Sequence, residues 1–228
     1  MNFMTLSEYR ERARQSLKGK YWYCVAVYLL VTLVIGLVSS LGTLFERMDQ
    51  GEGTAQTIAF VISFLGTLFV TYPFAIGLTR FFIKSINERR ELDDLVFLYK
   101  NGLSRAIVTV LLKGIYLFLW TMLFIIPGIV KSYSYFLVEY LLAENPSLET
   151  KRMFEISKRA MDGYKMRAFL LEMSFLGYIF LSLLTFGIGL LFLAPYMEMT
   201  MAIFYEDVKG SAIERGILSE EELIYSEN

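Results

Sequence analysis

The chain has 228 residues, 55% of them hydrophobic and 16% aromatic, with a net charge of −1, no histidine and a single cysteine, Cys24. This excludes Ser/His and Cys/His catalysis, histidine metal centres and intramolecular disulfides, and it gives no general attraction to nucleic acid. A mean hydropathy of +0.48 exceeds what a soluble domain of this size carries.

Residues 1–20 hold Arg10, Arg12, Arg14, Lys18 and Lys20, with Leu6, Tyr9, Ala13 and Leu17 on one helical face and a Thr5/Glu8 capping-box match. A short amphipathic helix anchored at anionic headgroups on the cytoplasmic side is expected. Four apolar blocks follow, at 21–45, 57–83, 106–143 and 168–205, each long enough for a core that takes about 20 helical residues. The first begins after a polar stretch and is too long for a signal-peptide core, so it is expected to be retained.

The loop Glu46 to Gln56 has one basic residue against three acids and fits the outer side. The return helix ends in Arg80, Lys84, Arg89 and Arg90, again cytoplasmic. From 87 to 105 the residues Leu92, Leu95, Val96, Tyr99 and Leu103 recur at helical spacing between charges. The segment near 146–166 repeats that design, with Met153, Ile156 and Ala160 on one face and Lys151, Arg152, Lys158 and Arg159 around it. Both are expected to lie along the inner surface.

For both to be cytoplasmic, the run 106–143 must cross twice; at ~1.5 Å per residue it gives about 57 Å of helix, enough for two short passes. The run 168–205 has the same length, and an acidic tail, 207–228, carries a Ser219/Glu222 capping-box match. The fold class is therefore all-α: a polytopic membrane bundle of about six proline-kinked transmembrane helices over 21–206, with both termini cytoplasmic and short interfacial helices.

Three lines of sequence share a pattern: FVTYPFAIGLTRFFIKSINE, FIIPGIVKSYSYFLVEYLLAENP and FLAPYMEMTMAIFYEDV. Each passes from apolar residues through a proline and aromatics to an acid, at Glu88, Glu144 and Glu206. The first copy puts Pro73 well inside a helix, so Pro73, Pro127 and Pro195 are expected to be kinks, with turns near Trp120 and Gly187. A proline frees a carbonyl one turn back, and at membrane depth that group needs a donor.

Lys113, Lys131, Glu139, Glu172 and Glu198 fall inside the apolar blocks, where charges are costly and face the bundle interior or a cavity. Counted from the cytoplasmic ends, Lys113 and Glu198 both lie at about 12 Å depth, so they can pair; Glu139 and Glu172 lie at about 7 Å. Pairing that fixes helix register, snorkelling and a relay role all remain open. Lys131 sits nearer the outer boundary. No phosphate-binding loop or dinucleotide fingerprint is present, and Gly187-Ile188-Gly189 reads as a break in a membrane helix.

The blocks PGIVKSYSYFLVEYLLAENPSLETKRMFEISKRAMDGYK, FLLEMSFLGY, GIGLLFLAPY and Phe204-Tyr205 resemble the integral-membrane domain-of-unknown-function family nine seven five, widespread in Gram-positive bacteria. The likeness runs from RARQSLKG to that last pair, with Tyr178 where many members have tryptophan. The helix plan is also similar to the membrane domain of some glycerophosphodiester phosphodiesterases, without their catalytic domain. The resemblance implies a bacterial cytoplasmic membrane and brings no catalytic, cofactor-binding or metal-binding residues. The expected partners are the lipid bilayer, anionic headgroups at the basic helices, and a membrane protein; no cofactor and no nucleic acid is expected. The favoured class is a non-enzymatic accessory, scaffold or immunity-type factor; the alternative is a small transporter or permease for a lipophilic or peptide substrate.

Overall fold

The computed structural model describes residues 4–48, 53–87 and 91–225. Part of the expected outer loop, residues 49–52, lies outside them, as do Glu88, Arg89 and Arg90. Among the described residues the chain is helical and has no strand. Five helices are long and apolar enough to cross a membrane: Tyr21–Ser40, Gln56–Ile86, Leu103–Leu123, Lys165–Leu183 and Ile188–Glu214. Between 17% and 39% of their most apolar windows is buried within the protein. Most of their apolar surface therefore faces outward, as on helices that meet lipid.

Elements α1 (Leu6–Leu17) and α2 (Tyr21–Met48) lead into α3 (Gly53–Gly66), which continues through a π-helical turn, Thr67–Thr71, into α4 (Tyr72–Ile86). A 3₁₀ turn (Leu92–Val96) and α5 (Phe97–Asn101) precede α6 (Leu103–Leu123). Then come α7 (Ile125–Ser134), α8 (Leu137–Glu144), α9 (Thr150–Ala160), α10 (Lys165–Met173), α11 (Leu176–Leu183) and α12 (Ile188–Glu214). A final 3₁₀ turn spans Glu220–Leu223.

The fourth of the six expected passes differs from the others. Its residues form two helices of ten and eight residues, α7 and α8, with a break at Tyr135 and Phe136. The fully buried Ser157 of α9 fills that break: its hydroxyl accepts from the Leu137 amide at 3.1 Å and donates to the Ser134 carbonyl at 2.9 Å. One side chain thus satisfies both backbone groups the break releases.

Helix α1 carries the full capping box: the Glu8 amide donates to Thr5 Oγ1 at 3.3 Å, and the Glu8 carboxylate accepts the Thr5 amide. Its apolar face is covered by protein rather than lipid. Tyr9, Ala13 and Leu17 are buried, the Tyr9 ring meets Phe204 edge-on at 5.5 Å, and its hydroxyl donates to Asp207. Burial and the Asp207 carboxylate together hold the proton on the Tyr9 phenol well above its usual range. Tyr196 OH donates to the Arg10 carbonyl at 3.2 Å, so α1 runs antiparallel beside α12.

The described part of the next segment, residues 91–105, is not one helix, and its buried residues also pack on protein. Leu95 and Leu98 are buried against α4, and Asp94 is buried between Arg80 and Lys84. The acidic tail is docked as well. Glu222 takes Arg152 on both oxygens, at 2.7 and 3.2 Å; Asn145 Nδ2 donates to its carbonyl at 2.9 Å, and Tyr225 packs edge-on against Phe97 at 5.6 Å.

The Arg152 hydrogen bond holds the Glu222 pKa below its ordinary value. A lowered folded pKa means docking is fully supported above the unfolded value of ~4.3 and lost as pH falls through the folded one. Proteolysis of residues 217–225 should accelerate in acid relative to neutral pH, and Glu222→Gln should remove that dependence.

The prolines occupy three different settings. At Pro73, inside the continuous α3–α4 rod, the freed Phe69 carbonyl accepts the Tyr99 hydroxyl at 2.6 Å. Pro195 lies inside α12, and the Phe192 carbonyl in the opened turn accepts the Tyr21 hydroxyl at 2.8 Å. Pro127 is not a kink: the chain turns at Phe124, with φ −160° and ψ 145°, and Pro127 is third in α7, in the first turn where amides lack intrahelical partners. The turn expected near Trp120 therefore lies at Phe124, whereas the one at Gly187, with φ 83°, is where the sequence put it.

Both hairpins close on a glycine. A Cβ at Gly128 would strike Thr121, and one at Gly189 would strike Ser182 at 2.8 Å, so α7 approaches α6, and α12 approaches α11, closer than any side chain permits. Tyr99→Phe and Tyr21→Phe should each cost about 0.5–1.5 kcal/mol, the range for interhelical hydrogen bonds in membranes. Thermal melts in detergent check this, and a loss confined to one variant would leave only that carbonyl dependent on its tyrosine.

Candidate functional site

Four of the five charges inside the apolar blocks come together. A cavity of about 780 Å³ is lined by residues from all five candidate spans and from α7 and α8, including Lys113, Glu139, Glu172 and Glu198. It forms because polar residues are threaded at helical spacing through the apolar runs. On α2, Tyr28, Val31, Thr32 and Ile35 follow the i, i+3, i+4, i+7 pattern of one helix face. On α7 and α8, Ser132 and Tyr133 are followed by Phe136, Glu139 and Tyr140 in the same rhythm across the break.

Lys113 Nζ donates to Glu139 Oε1 at 2.8 Å. This corrects the expected Lys113–Glu198 pair. Depth counted from helix ends does not fix which faces meet, and Glu139 on α8 meets Lys113 although the count put the two at different depths. Glu172 accepts the Tyr133 hydroxyl at 2.5 Å. Among the described residues Glu198 has no hydrogen-bond or ion-pair partner, although it lines the same cavity. The cavity thus sets three carboxylates against one ammonium, with the rings of Tyr28, Phe136, Tyr140 and Phe175 in its wall.

Lys131 is not part of it. Its ammonium sits over the Trp120 ring at 4.5 Å, a cation–π contact across the α6–α7 hairpin. Pro73, Pro127 and Pro195 do not line the cavity either. Pro195 shapes it at one remove, since the flanking Met197 and Glu198 do line it.

A second cluster holds the neighbouring elements together. Arg80 donates through Nε to Asp94 Oδ1 at 3.0 Å and through one terminal nitrogen to the carbonyls of Ala143 and Glu144, at 2.5 and 3.1 Å. Its guanidinium lies 3.5 Å from the Phe97 ring centroid. Read from the sequence, Arg80 was only a topology marker. The Leu-Asp-Asp-Leu stretch at 92–95, with an acid beside the buried Leu95, is the signal for its partner. Among the described residues no group of three or more Cys, Asp or Glu is arranged to hold a metal ion.

Fold and site together define a helical multipass membrane protein with a charged, aromatic-walled cavity inside its bundle. Residues 123–212 match the family model described as protein of unknown function (DUF975), which bears out the family resemblance over that segment. That segment carries all three cavity carboxylates, while Lys113 and the α2 stripe lie outside it. No curated protein and no solved structure matches the chain.

Proposed function

We propose that this protein binds a small lipophilic cation within its helical bundle and acts as a small transporter or permease in the bacterial cytoplasmic membrane, with both termini inside and without catalysis. The observation that carries this reading is the cavity's charge balance. An unpaired carboxylate at membrane depth is costly, and such residues mark substrate and ion pathways. Lys113 is engaged by Glu139 and Glu172 is engaged by Tyr133, so Glu198 is the group left for a ligand's positive charge. The aromatic wall suits the same ligand, because ring faces attract cations when water is excluded. A volume of about 780 Å³ is within the range of small-molecule sites.

Tetraphenylphosphonium and tetraphenylborate have the same shape and opposite charge, and they test this directly. Protein in nanodiscs should show saturable phosphonium binding above empty discs, at least tenfold tighter than borate, and Glu198→Gln should lose most of it with the melting temperature unchanged. Equal binding of the two ions, or no saturable binding of either, would overturn the reading.

The accessory or scaffold role is the second reading, and one observation favours it. Lys151, Lys158 and Arg159 on α9 stay exposed while Met153, Phe154, Ile156, Ser157 and Ala160 of that helix are buried. A scaffold would co-purify with a membrane partner from gentle detergent and lose it when those three charges are neutralised.

A further inference from the structure

A different groove lies where α1 meets the first membrane span. It has a volume of about 540 Å³ and runs between the α1–α2 junction and α12. Arg14 and Lys18 stand on one side, Leu17, Phe192 and Leu193 form an apolar floor, and Tyr21 and Tyr196 border it. Lys18 caps α1, and Gly19, with φ 78°, turns the chain so that Lys18 and Lys20 part company. Lys20 is buried and donates to the Ser85 carbonyl, while Lys18 is exposed. Among the described residues the Lys18 ammonium has no hydrogen-bond or ion-pair partner, and the Arg14 guanidinium has only an exposed contact with Glu11 at 3.6 Å.

The groove's height along the molecule follows from its neighbours. The apolar span begins at Tyr21, and Trp22, adjacent to the groove and meeting Phe192 edge-on at 6.0 Å, is 71% exposed. Tryptophan and tyrosine exposed at the start of a span sit at headgroup level. Two cations at that level, above an apolar channel bordered by phenol hydroxyls, are complementary to an anionic phosphodiester carrying acyl chains.

We infer that this groove is a site for one anionic phospholipid, its phosphate held by Arg14 and Lys18 and an acyl chain lying along Phe192 and Leu193. The occupant is a membrane lipid rather than free phosphate, because most of the groove surface is apolar and opens beside the first span. Tyr21 also donates to the Phe192 carbonyl in the turn before Pro195, so the lipid would rest against that hydrogen bond.

Native mass spectrometry of the purified full-length protein, delipidated and then supplied with equimolar phosphatidylglycerol and phosphatidylcholine, tests this. One phosphatidylglycerol should be retained in preference to phosphatidylcholine. The Arg14→Gln/Lys18→Gln variant should retain roughly thirtyfold less, in line with the attraction of two basic residues at a lipid surface. Arg14 is 74% exposed at its side chain, so the variant's melting temperature without lipid should be unchanged. The control Lys151→Gln/Lys158→Gln should retain phosphatidylglycerol normally, and millimolar inorganic phosphate should not displace it. Equal retention of the two lipids, the same loss in the control, or displacement by inorganic phosphate would overturn the inference.

Discussion

Arg80→Met should lower the melting temperature in detergent by about 6–12 °C, the shift that ~3 kcal/mol produces in a chain of this size. Met keeps most of the stem but removes the guanidinium, with its charge and its contact over the Phe97 ring, from a side chain that is 15% exposed. Asp94, 4% exposed at its side chain, would keep Lys84 at 2.5 Å, which is why the low end of the range for breaking a buried pair applies. The carbonyls of Ala143 and Glu144 would lose their donor as well. The effect is structural and should leave the ratio of phosphonium to borate binding unchanged. Asp94→Asn should be less damaging in the Arg80→Met background than alone, since the two residues share one interaction.

Lys113→Met should act in the opposite manner. Its partner Glu139 is 39% exposed on the cavity side, so the stability loss should be small, about 1 kcal/mol after allowing for solvent screening. The cavity, however, would go from three carboxylates against one ammonium to three against none. Phosphonium should then bind severalfold more tightly and borate less. Weaker phosphonium binding in this variant, with normal melting, would mean that Lys113 itself contacts the ligand.

Much of the molecule can be read in the order of its residues, because hydrophobic block length is a direct record of membrane thickness. Blocks 21–45 and 57–83 became single spans, and the Thr5/Glu8 box, a purely local device, formed as written. The coverage of an amphipathic face is not local. Tyr9, Ala13 and Leu17 repeat at helical spacing whether lipid or α12 lies against them, so α1 and the 92–101 segment were expected on the membrane surface and are instead packed on protein. The break between α7 and α8 was equally invisible, since it depends on Ser157, some twenty residues further on.

The site was legible in its members and not in its pairing. Lys113, Glu139, Glu172 and Glu198 stand out in any apolar run. Which of them meet depends on which helix faces the packing brings together, and Glu139, not Glu198, is the partner of Lys113. The walls were harder still. Tyr28 and Thr32 are unremarkable in a membrane helix until their spacing is set beside the charges on other helices.

The central claim is that these charges share one cavity, with Lys113 committed to Glu139 and Glu198 left for a ligand. Reciprocal charge exchange tests it most directly. Lys113→Glu alone should place a fourth carboxylate in the cavity and sharply reduce the folded protein recovered from membranes. Lys113→Glu with Glu139→Lys should restore recovery, melting temperature and Glu198-dependent phosphonium binding. Failure of that exchange, together with rescue by Lys113→Glu with Glu198→Lys, would contradict the account.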